Sequence, residues 1–389
     1  MSGHWVGTWA TSPMNVWAGD AVLYGFHNQT VRQVVRISKG GRRFRIRFTN
    51  EYGTARIAIA AAAIAMAGAD GAVQPSSSRN LTFGGRPEAM LVGGAPLLSD
   101  PVELDAGDLS SLAISTYFSG FAPIETYHFT ARQTAYISSF GNFVDAVALP
   151  PQQVSQSSYF LSAVLVEAES DCRTIVCFGD SITDGTASTV DANARWPNHL
   201  ADRLASSGRL DRLSVLNQGL DGNRLASGRG RGAAALARFD RDVLSFPNVG
   251  HVIILEGIND IGWPESMLAP ASESVTIDQI LGCYNQMVER AHMAGIKVAL
   301  GTLTPFGGAF EGAQYETFFS AEKEAARQQV NAWIRSSGRA DAVIDFDRAT
   351  ADDSVPPRMK PAFDCGDHLH PSDAGYRRMA EEVDLGFFD

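Results

Sequence analysis

From residue 171 onward the sequence repeats one unit: a short apolar run, a polar turn, then an amphipathic stretch long enough for a helix. The apolar runs are TIVCFGDS, SVLNQG, HVIILEG, KVALGTL and AVIDF. Among them and after them lie WPNHLADRLASS, AAALARFDRDVLS, TIDQILGCYNQMVERAHMAG, SAEKEAARQQVNAWIRSSG and SDAGYRRMAEEV. Few folds accept this grammar. Strands that alternate with helices pair in parallel, because a helical crossover brings the chain back to start the next strand in the same direction. The expectation is a three-layer α/β domain of flavodoxin-like size over 171–389, with Ser372 as N-cap of the closing helix. In such sheets ligands sit beyond the carboxyl ends of the strands. Chemistry is therefore sought where each strand stops.

Residues 1–170 follow a different rule. In FRIRFTN (44 to 50), Phe44, Ile46 and Phe48 share one face and Arg45 and Arg47 the other, which is the period of a half-buried strand. VRQVVRIS, LAISTYF, TAYISSF and YFLSAVLVEA read the same way, separated by KGG, AGD, GGRPE and LPPQQ. An all-β, sandwich-like domain is expected. ARIAIAAAAIAMAG (55 to 68) carries alanines that favour helix, but the alternation of Ile57 and Ile59 and its strand neighbours favour β. Two domains also suit a chain of 389 residues, since single cores stop growing at roughly 250 to 300.

Bulk properties exclude several classes. A formal charge of −11, from 43 acidic against 32 basic residues, would repel a phosphate backbone, so nucleic acid is not an expected partner. No apolar run reaches the roughly 18 to 20 residues that span a bilayer. The opening MSGHWVGTWA has neither a basic n-region nor an apolar h-region, so the chain as written reads as cytoplasmic, or as secreted if a leader before Met1 has been removed. Cys172, Cys177, Cys283 and Cys365 have no CxxC or CxxH spacing and read as buried thiols rather than a zinc site or a disulfide framework. Oligomeric state leaves no mark in the sequence.

Four segments at strand ends carry the residue types that acyl transfer needs. Ser181 follows the first strand, Gly222 lies in NQGLDGN after the second, Asn259 in EGIND after the third, and DHLHP (367 to 371) precedes the last helix. A serine hydroxyl is a weak nucleophile until a base takes its proton, and a histidine oriented by a carboxylate does this best. Asp367 and His370 are three residues apart, so one turn of backbone can aim both side chains the same way. The oxyanion of a tetrahedral intermediate needs donors as well, and the Ser181 N–H, the Gly222 N–H and the Asn259 amide are three candidates.

Each feature has a plainer reading. A Gly-Asp-Ser triplet at a strand end is more often a turn, Gly222 alone a positive-φ residue, Asn259 and Asp260 caps, and Asp367 with His370 a surface ion pair or half a metal site. The case rests on their order along one sheet. His368 lies two residues from His370 and is a second candidate base; the Asp-x-x-His spacing and Pro371 favour His370. Asp180 reads as a turn acceptor. GRGRG (228 to 232) lacks the Walker lysine and reads as a mobile basic loop at the site edge. An α/β-hydrolase elbow is disfavoured, because Thr183 stands where G-x-S-x-G needs glycine. Asp184, His199, His368 and His370 lack metal-ligand spacing, and no metal or cofactor is expected.

GDSITDG, NQGLDGN, GIND and DHLHPSDAGY closely resemble blocks I, II, III and V of the SGNH hydrolases, the GDSL-type esterases and lipases. WVGTWATSP, LTFGG, SDPVEL and ARQTAYIS resemble the β-domain that precedes the hydrolase domain in a bacterial subgroup, whose phrases recur in GNRLASGRG, RFDRDVL and VIILEGINDIG. The resemblance implies Ser181 as nucleophile and oxyanion donor, Gly222 and Asn259 as further donors, His370 as base and Asp367 as its partner. Asp221 departs from the small residue often found before the glycine, and a carboxylate there is unhelpful unless it points away. The implied activity is hydrolysis of carboxylic esters, short-chain acyl or O-acetyl, on a small-molecule or glycan substrate. An acyltransferase or thioesterase using the same residues is the alternative, as is a silent glycan-binding protein. TASTVDANAR and TPFGGAFEGAQYETFF would shape specificity, with Phe306, Phe310 and Tyr315 as candidate substrate contacts.

Overall fold

A computed structural model of the protein describes residues 3–17, 20 and 22–389. The chain divides into two compact units: residues up to 174 together with 205–216, and residues 175–204 together with 217–389.

Beside a small pair, Gly25–Phe26 with Ala122–Pro123, and a short three-stranded sheet of Ser158–Tyr159, Thr126–His128 and Met14–Asn15, two large antiparallel sheets make up most of the first unit. One orders Trp5–Ala10, Leu161–Glu167, Gly41–Thr49 and Val102–Ala106 side by side, with Pro96–Leu98 also paired to Gly41–Thr49. The other runs Pro151–Ser155, Ala135–Phe140, Gln29–Arg36, Ser111–Phe118, Ile57–Met66 and Arg79–Asn80, with Ala89–Leu91 on Ile57–Met66. The period-two reading of 44 to 50 is visible in the burial: Phe44, Ile46 and Phe48 are buried, while Arg43, Arg45 and Arg47 on the other face are partly exposed. Those arginines use their stems and heads on that face, Arg45 over the Trp5 ring at 5.1 Å and Arg43 on Glu167 at 2.8 Å. The alanine-rich stretch 55 to 68 is a strand, Ile57–Met66. Alanine's helix propensity loses to tertiary pairing, because this strand lies hydrogen-bonded along the full length of Ser111–Phe118.

Arg32 is fully buried in this unit without a carboxylate among its acceptors. Its guanidinium donates to Ser115 Oγ at 2.8 Å and to the carbonyls of Gly71 at 3.0 Å, Val147 at 3.1 Å and Ala146 at 2.6 Å. Neutral dipoles thus solvate the charge that burial would otherwise expel.

The βα grammar from residue 173 onward forms one further sheet, most of it in the second unit. Its strands are β1 (Arg173–Gly179), β2 (Leu213–Gly219), β3 (Val249–Leu255), β4 (Lys297–Gly301) and β5 (Ala342–Ile344), in the order β2-β1-β3-β4-β5. The β3/β4 and β4/β5 pairs are parallel. Strand order reverses direction between β1 and β3, and a crevice opens at such a switch point beyond the strands' carboxyl ends. The helices are α1 (Ser181–Asp184), α2 (Trp196–Ser206), α3 (Ala235–Phe239), α4 (Ile258–Gly262), α5 (Ile277–Met293), α6 (Ala321–Ser336), α7 (Phe346–Thr350) and α8 (Asp373–Glu382). The stretch expected as one helix over 233 to 245 is α3 followed by a π turn, Asp240–Leu244. Thr276 and Gln279 close a reciprocal capping box on α5, and Ser372 caps α8 as its sequence suggested. Among the described residues no helix is long and apolar enough to cross a membrane. Cys172, Cys177 and Cys283 are buried free thiols as expected, whereas Cys365 is exposed because it lies in the loop before α8 rather than on an element.

His251 on β3 shows how tightly this unit is closed. Its ring packs at 5.2 Å against both Phe387 and Phe388, and neither ring nitrogen has a hydrogen-bond partner. Burial, helped by the Lys297 charge, pulls its pKa down to about 4. The folded chain therefore holds the neutral ring, while the unfolded chain binds a proton near pH 6.5. Stability contributed by this site is complete above that value and is lost as pH falls toward 4. His251→Leu should remove about 2 kcal/mol of the acid destabilisation between pH 7 and pH 4.5. Urea midpoints at the two pH values check this, and an unchanged pH dependence in the variant contradicts it.

Candidate active site

Ser181 is the first residue of α1, a single helical turn that starts where β1 ends. Asp180 is its N-cap: Oδ1 accepts from the Ile182 N–H at 3.0 Å, so its part is to hold the turn, as read from sequence. Gly185 closes the turn in the left-handed region. The N–H of Ser181, at the first helical position, has no intrahelical acceptor and remains a donor for a ligand.

His370 brings its Nε2 to 2.9 Å from Ser181 Oγ, and both side chains are almost fully buried. On the far side of the ring, Nδ1 lies 2.6 Å from Asp367 Oδ2. The other oxygen of Asp367 accepts from the backbone N–H groups of His370 at 2.8 Å and Leu369 at 2.9 Å. Burial alone would raise this carboxyl's pKa. Hydrogen bonding by the His370 ring, its charge and the two backbone N–H groups outweigh that and hold the acid well below the usual range. An ionised carboxylate only accepts, so Nδ1 carries the ring proton and Nε2 is left to accept from the serine hydroxyl. Of the two candidate bases, His370 reaches Ser181. His368 turns away: its backbone is left-handed (φ 61) and its Nδ1 lies 2.5 Å from Asp364 Oδ2. The donor atoms of Asp364, Cys365 and Asp367 lie within 4.8 Å of one another, but both carboxylates are already engaged by the two histidines.

Gly222 sits in the turn after β2 at φ 68, where a β-carbon would come within 3.0 Å of the Trp263 ring and 3.2 Å of Arg231. Only glycine fits without strain. The Asp221 carboxylate beside it is ion-paired with Arg231, so the departure noted in the sequence is neutralised locally, and the Asp221 N–H is held by Asp184 Oδ2 at 3.1 Å. Arg231 belongs to GRGRG. The loop is tied rather than free, through Arg231 to Asp221 and through Arg224, which bonds the Arg229 carbonyl, Ser227 Oγ at 2.7 Å and Glu273 at 2.7 Å. Arg224 Cζ also lies 5.1 Å from the Trp263 ring centre.

Asn259 follows β3 on α4, behind Gly257, whose φ of 116 caps that helix. One amide N–H of Asn259 donates to the Asn223 carbonyl at 2.8 Å, which fixes the amide and leaves its second N–H for another acceptor. Sequence reading treated Asp260 as a cap. The structure instead places it, fully buried, under the N–H groups of Leu225 at 2.7 Å and Ala226 at 3.0 Å, where it pins the chain leaving Gly222. Burial pushes its pKa up to about 6, against the pull of those two bonds. Burial likewise raises Asp180 and Glu256, and the nearby Asp180 charge adds to the rise of Glu256. Burial thus shifts these acids behind the strand ends toward their neutral forms, whereas the bonds to Asp367 shift it toward its charged form.

The expected specificity residues separate. Phe310, also left-handed at φ 59, donates its N–H to the Asp367 carbonyl at 2.8 Å and sets its ring 6.3 Å from that of His370. Tyr315 stacks edge-on against Phe310 at 5.7 Å. Phe306 is fully buried between Phe318 and Phe319, so it forms the core of this loop instead of a surface that substrate could touch.

The family model described as "GDSL-like Lipase/Acylhydrolase family" matches residues 177–378, just over half of the chain. Among solved structures, the chain is similar to a GDSL-like lipase from Bacteroides thetaiotaomicron VPI-5482, at 20% identity over 56% of this chain and 88% of that one, with a TM-score of 0.40. It is similar also to an acetyl xylan esterase, at 18% identity over 54% and 96% with a TM-score of 0.41. A mutant acetyl-xylooligosaccharide esterase from Geobacillus stearmophilus is similar at 20% identity over 54% and 91%, with a TM-score of 0.39. No curated protein matches the chain.

Proposed function

The chain belongs to the GDSL-like lipase/acylhydrolase family, the SGNH hydrolases, and from that premise we propose that it is a serine esterase acting through an acyl-Ser181 intermediate. One observation carries the reading: the continuous line from Ser181 Oγ to His370 Nε2 at 2.9 Å and from His370 Nδ1 to Asp367 at 2.6 Å. Ser181 Oγ attacks the ester carbonyl as His370 takes its proton. The oxyanion is received by the N–H groups of Ser181 and Gly222 and the amide of Asn259. Collapse expels the alcohol, which leaves with the proton returned by His370. Water then attacks the acyl-enzyme, gives its proton to His370, and releases the acid while Ser181 regains the proton.

We read the catalytic domain as a three-layer, flavodoxin-like unit and the N-terminal region as a β-sandwich; the β2-β1-β3-β4-β5 order supports the first. For substrate, the Phe310 ring beside His370, backed by Tyr315 and Phe318, supports a small acyl group over a long chain. Acetyl and butyryl nitrophenyl esters should be turned over about tenfold faster, as kcat/KM, than the dodecanoyl ester. A fluorophosphonate should label the protein once, with the adduct on the Ser181 peptide. A preference for dodecanoate would refute the short-chain assignment, and absence of turnover on every ester would refute the hydrolase reading itself.

A further inference from the structure

The three groups read as oxyanion donors sit on three different segments: the end of β1, the turn after β2 and the start of α4. A single side chain bridges all three. Arg238 on α3 is buried to about 1% exposure. Its Nη2 donates to the Gly179 carbonyl at 2.7 Å, two residues before Ser181. Its Nη1 donates to the Gln218 carbonyl at 2.9 Å, near the end of β2. Its Nε donates to Asn223 Oδ1 at 2.8 Å, immediately after Gly222. Nη2 also lies 3.5 Å from Glu256 Oε2, three residues before Asn259. The guanidinium covers the Phe178 ring, with Cζ 4.1 Å from its centre, and Asp242 supplies a counter-charge at 3.0 Å from Nη1.

These contacts close on themselves. The Gly179 carbonyl that accepts from Arg238 also accepts the Leu220 N–H at 3.0 Å, and Asn223, whose side chain accepts from Arg238, offers its carbonyl to the Asn259 amide. Stabilising α3 alone would not require this arrangement, since an apolar residue of similar volume packs a helix without the desolvation cost of a buried charge. What a planar fork provides is several donors in fixed mutual geometry, which a lysine cannot reproduce. We propose that Arg238 is a positioning residue that sets the Ser181, Gly222 and Asn259 donors at their mutual distances, an inference that rests on reading those three as the oxyanion hole.

The test is a double-mutant cycle on a short nitrophenyl ester, with active sites counted by fluorophosphonate so that misfolded molecules drop out. Arg238→Lys keeps the charge beside Asp242 and loses the fork; kcat should fall about 100-fold with KM within about threefold. Asn259→Ala should cost about 100-fold in the wild-type background and less than about fivefold in the Arg238→Lys background, because its donor is already misplaced there. Effects that simply multiply would overturn the positioning role and leave Arg238 as a structural residue. An Asn259→Ala variant as fast as wild type would overturn the donor reading itself, and the inference with it. Should Arg238→Lys fail to fold, Asn223→Ala removes the Nε acceptor while keeping the guanidinium, and the same cycle decides: non-additivity with Asn259→Ala supports the proposal, and multiplication overturns it.

Discussion

Ser181→Ala is expected to lower kcat on nitrophenyl acetate by on the order of 10⁵- to 10⁶-fold, with the fold retained. Without Oγ no acyl-enzyme can form, and the remaining rate is that of water attacking an ester held among the oxyanion donors. The structural cost is small by comparison. The alanine removes one hydrogen bond, worth about 1 kcal/mol, and adds no volume to a buried turn. The capping bond from Ile182 to Asp180, which shapes α1, does not involve the serine side chain. Activity within tenfold of wild type, measured beside an unchanged urea midpoint, would rule out Ser181 as the nucleophile.

Asp367→Asn is expected to cost roughly 10³- to 10⁴-fold in kcat, with KM little changed. The native carboxylate accepts from Nδ1 of His370 and from two backbone N–H groups, and all three donors select the ionised form. Its pKa is depressed, so the stabilisation it lends is complete above the ordinary carboxylate range and is lost only as pH falls through the lower folded value. The asparagine amide that replaces it does not titrate in this range, so raising the pH restores no acceptor for Nδ1. An asparagine keeping its oxygen on the backbone donors turns its NH₂ toward Nδ1, which forces the ring proton onto Nε2, facing Ser181. The pH–rate profile of the variant distinguishes this from simple loss of packing: a flat, uniformly low profile fits the wrong tautomer. Recovery to near wild-type rate above pH 9 would contradict it.

The parallel strands, the strand ends and the Asp367/His370 pair were legible because each is written in a few adjacent residues, by periodicity or by short spacing. Choosing between His368 and His370 was harder. Both lie in one loop, and what separates them is a left-handed backbone at His368 that local pattern does not announce. Arg238 was invisible for a different reason. In the sequence it is one charged position in the amphipathic stretch AAALARFDRDVLS, and that arginine is buried because carbonyls from distant strand ends need donors there. Phe306 misled in the opposite sense: an aromatic in a long polar loop suggests a substrate contact, yet the loop builds its own core around that ring. Asp260 was recognised as a backbone acceptor, but its target, the chain after Gly222, lies too far along the sequence to be inferred from spacing.

The two hydrogen bonds of the Ser181–His370–Asp367 line differ in how the chain controls them. Asp367 and His370 sit three positions apart on one loop, so their alignment is a local property, set by that loop's own backbone bonds. Ser181 and His370 are 189 positions apart, and their distance depends on the whole of the intervening chain being in place. A shift of the loop before α8 would therefore carry imidazole and carboxylate together as a rigid pair and change only the reach to the hydroxyl. The reach from imidazole to hydroxyl is thus a long-range property of the fold, whereas the orientation of the imidazole is a local one.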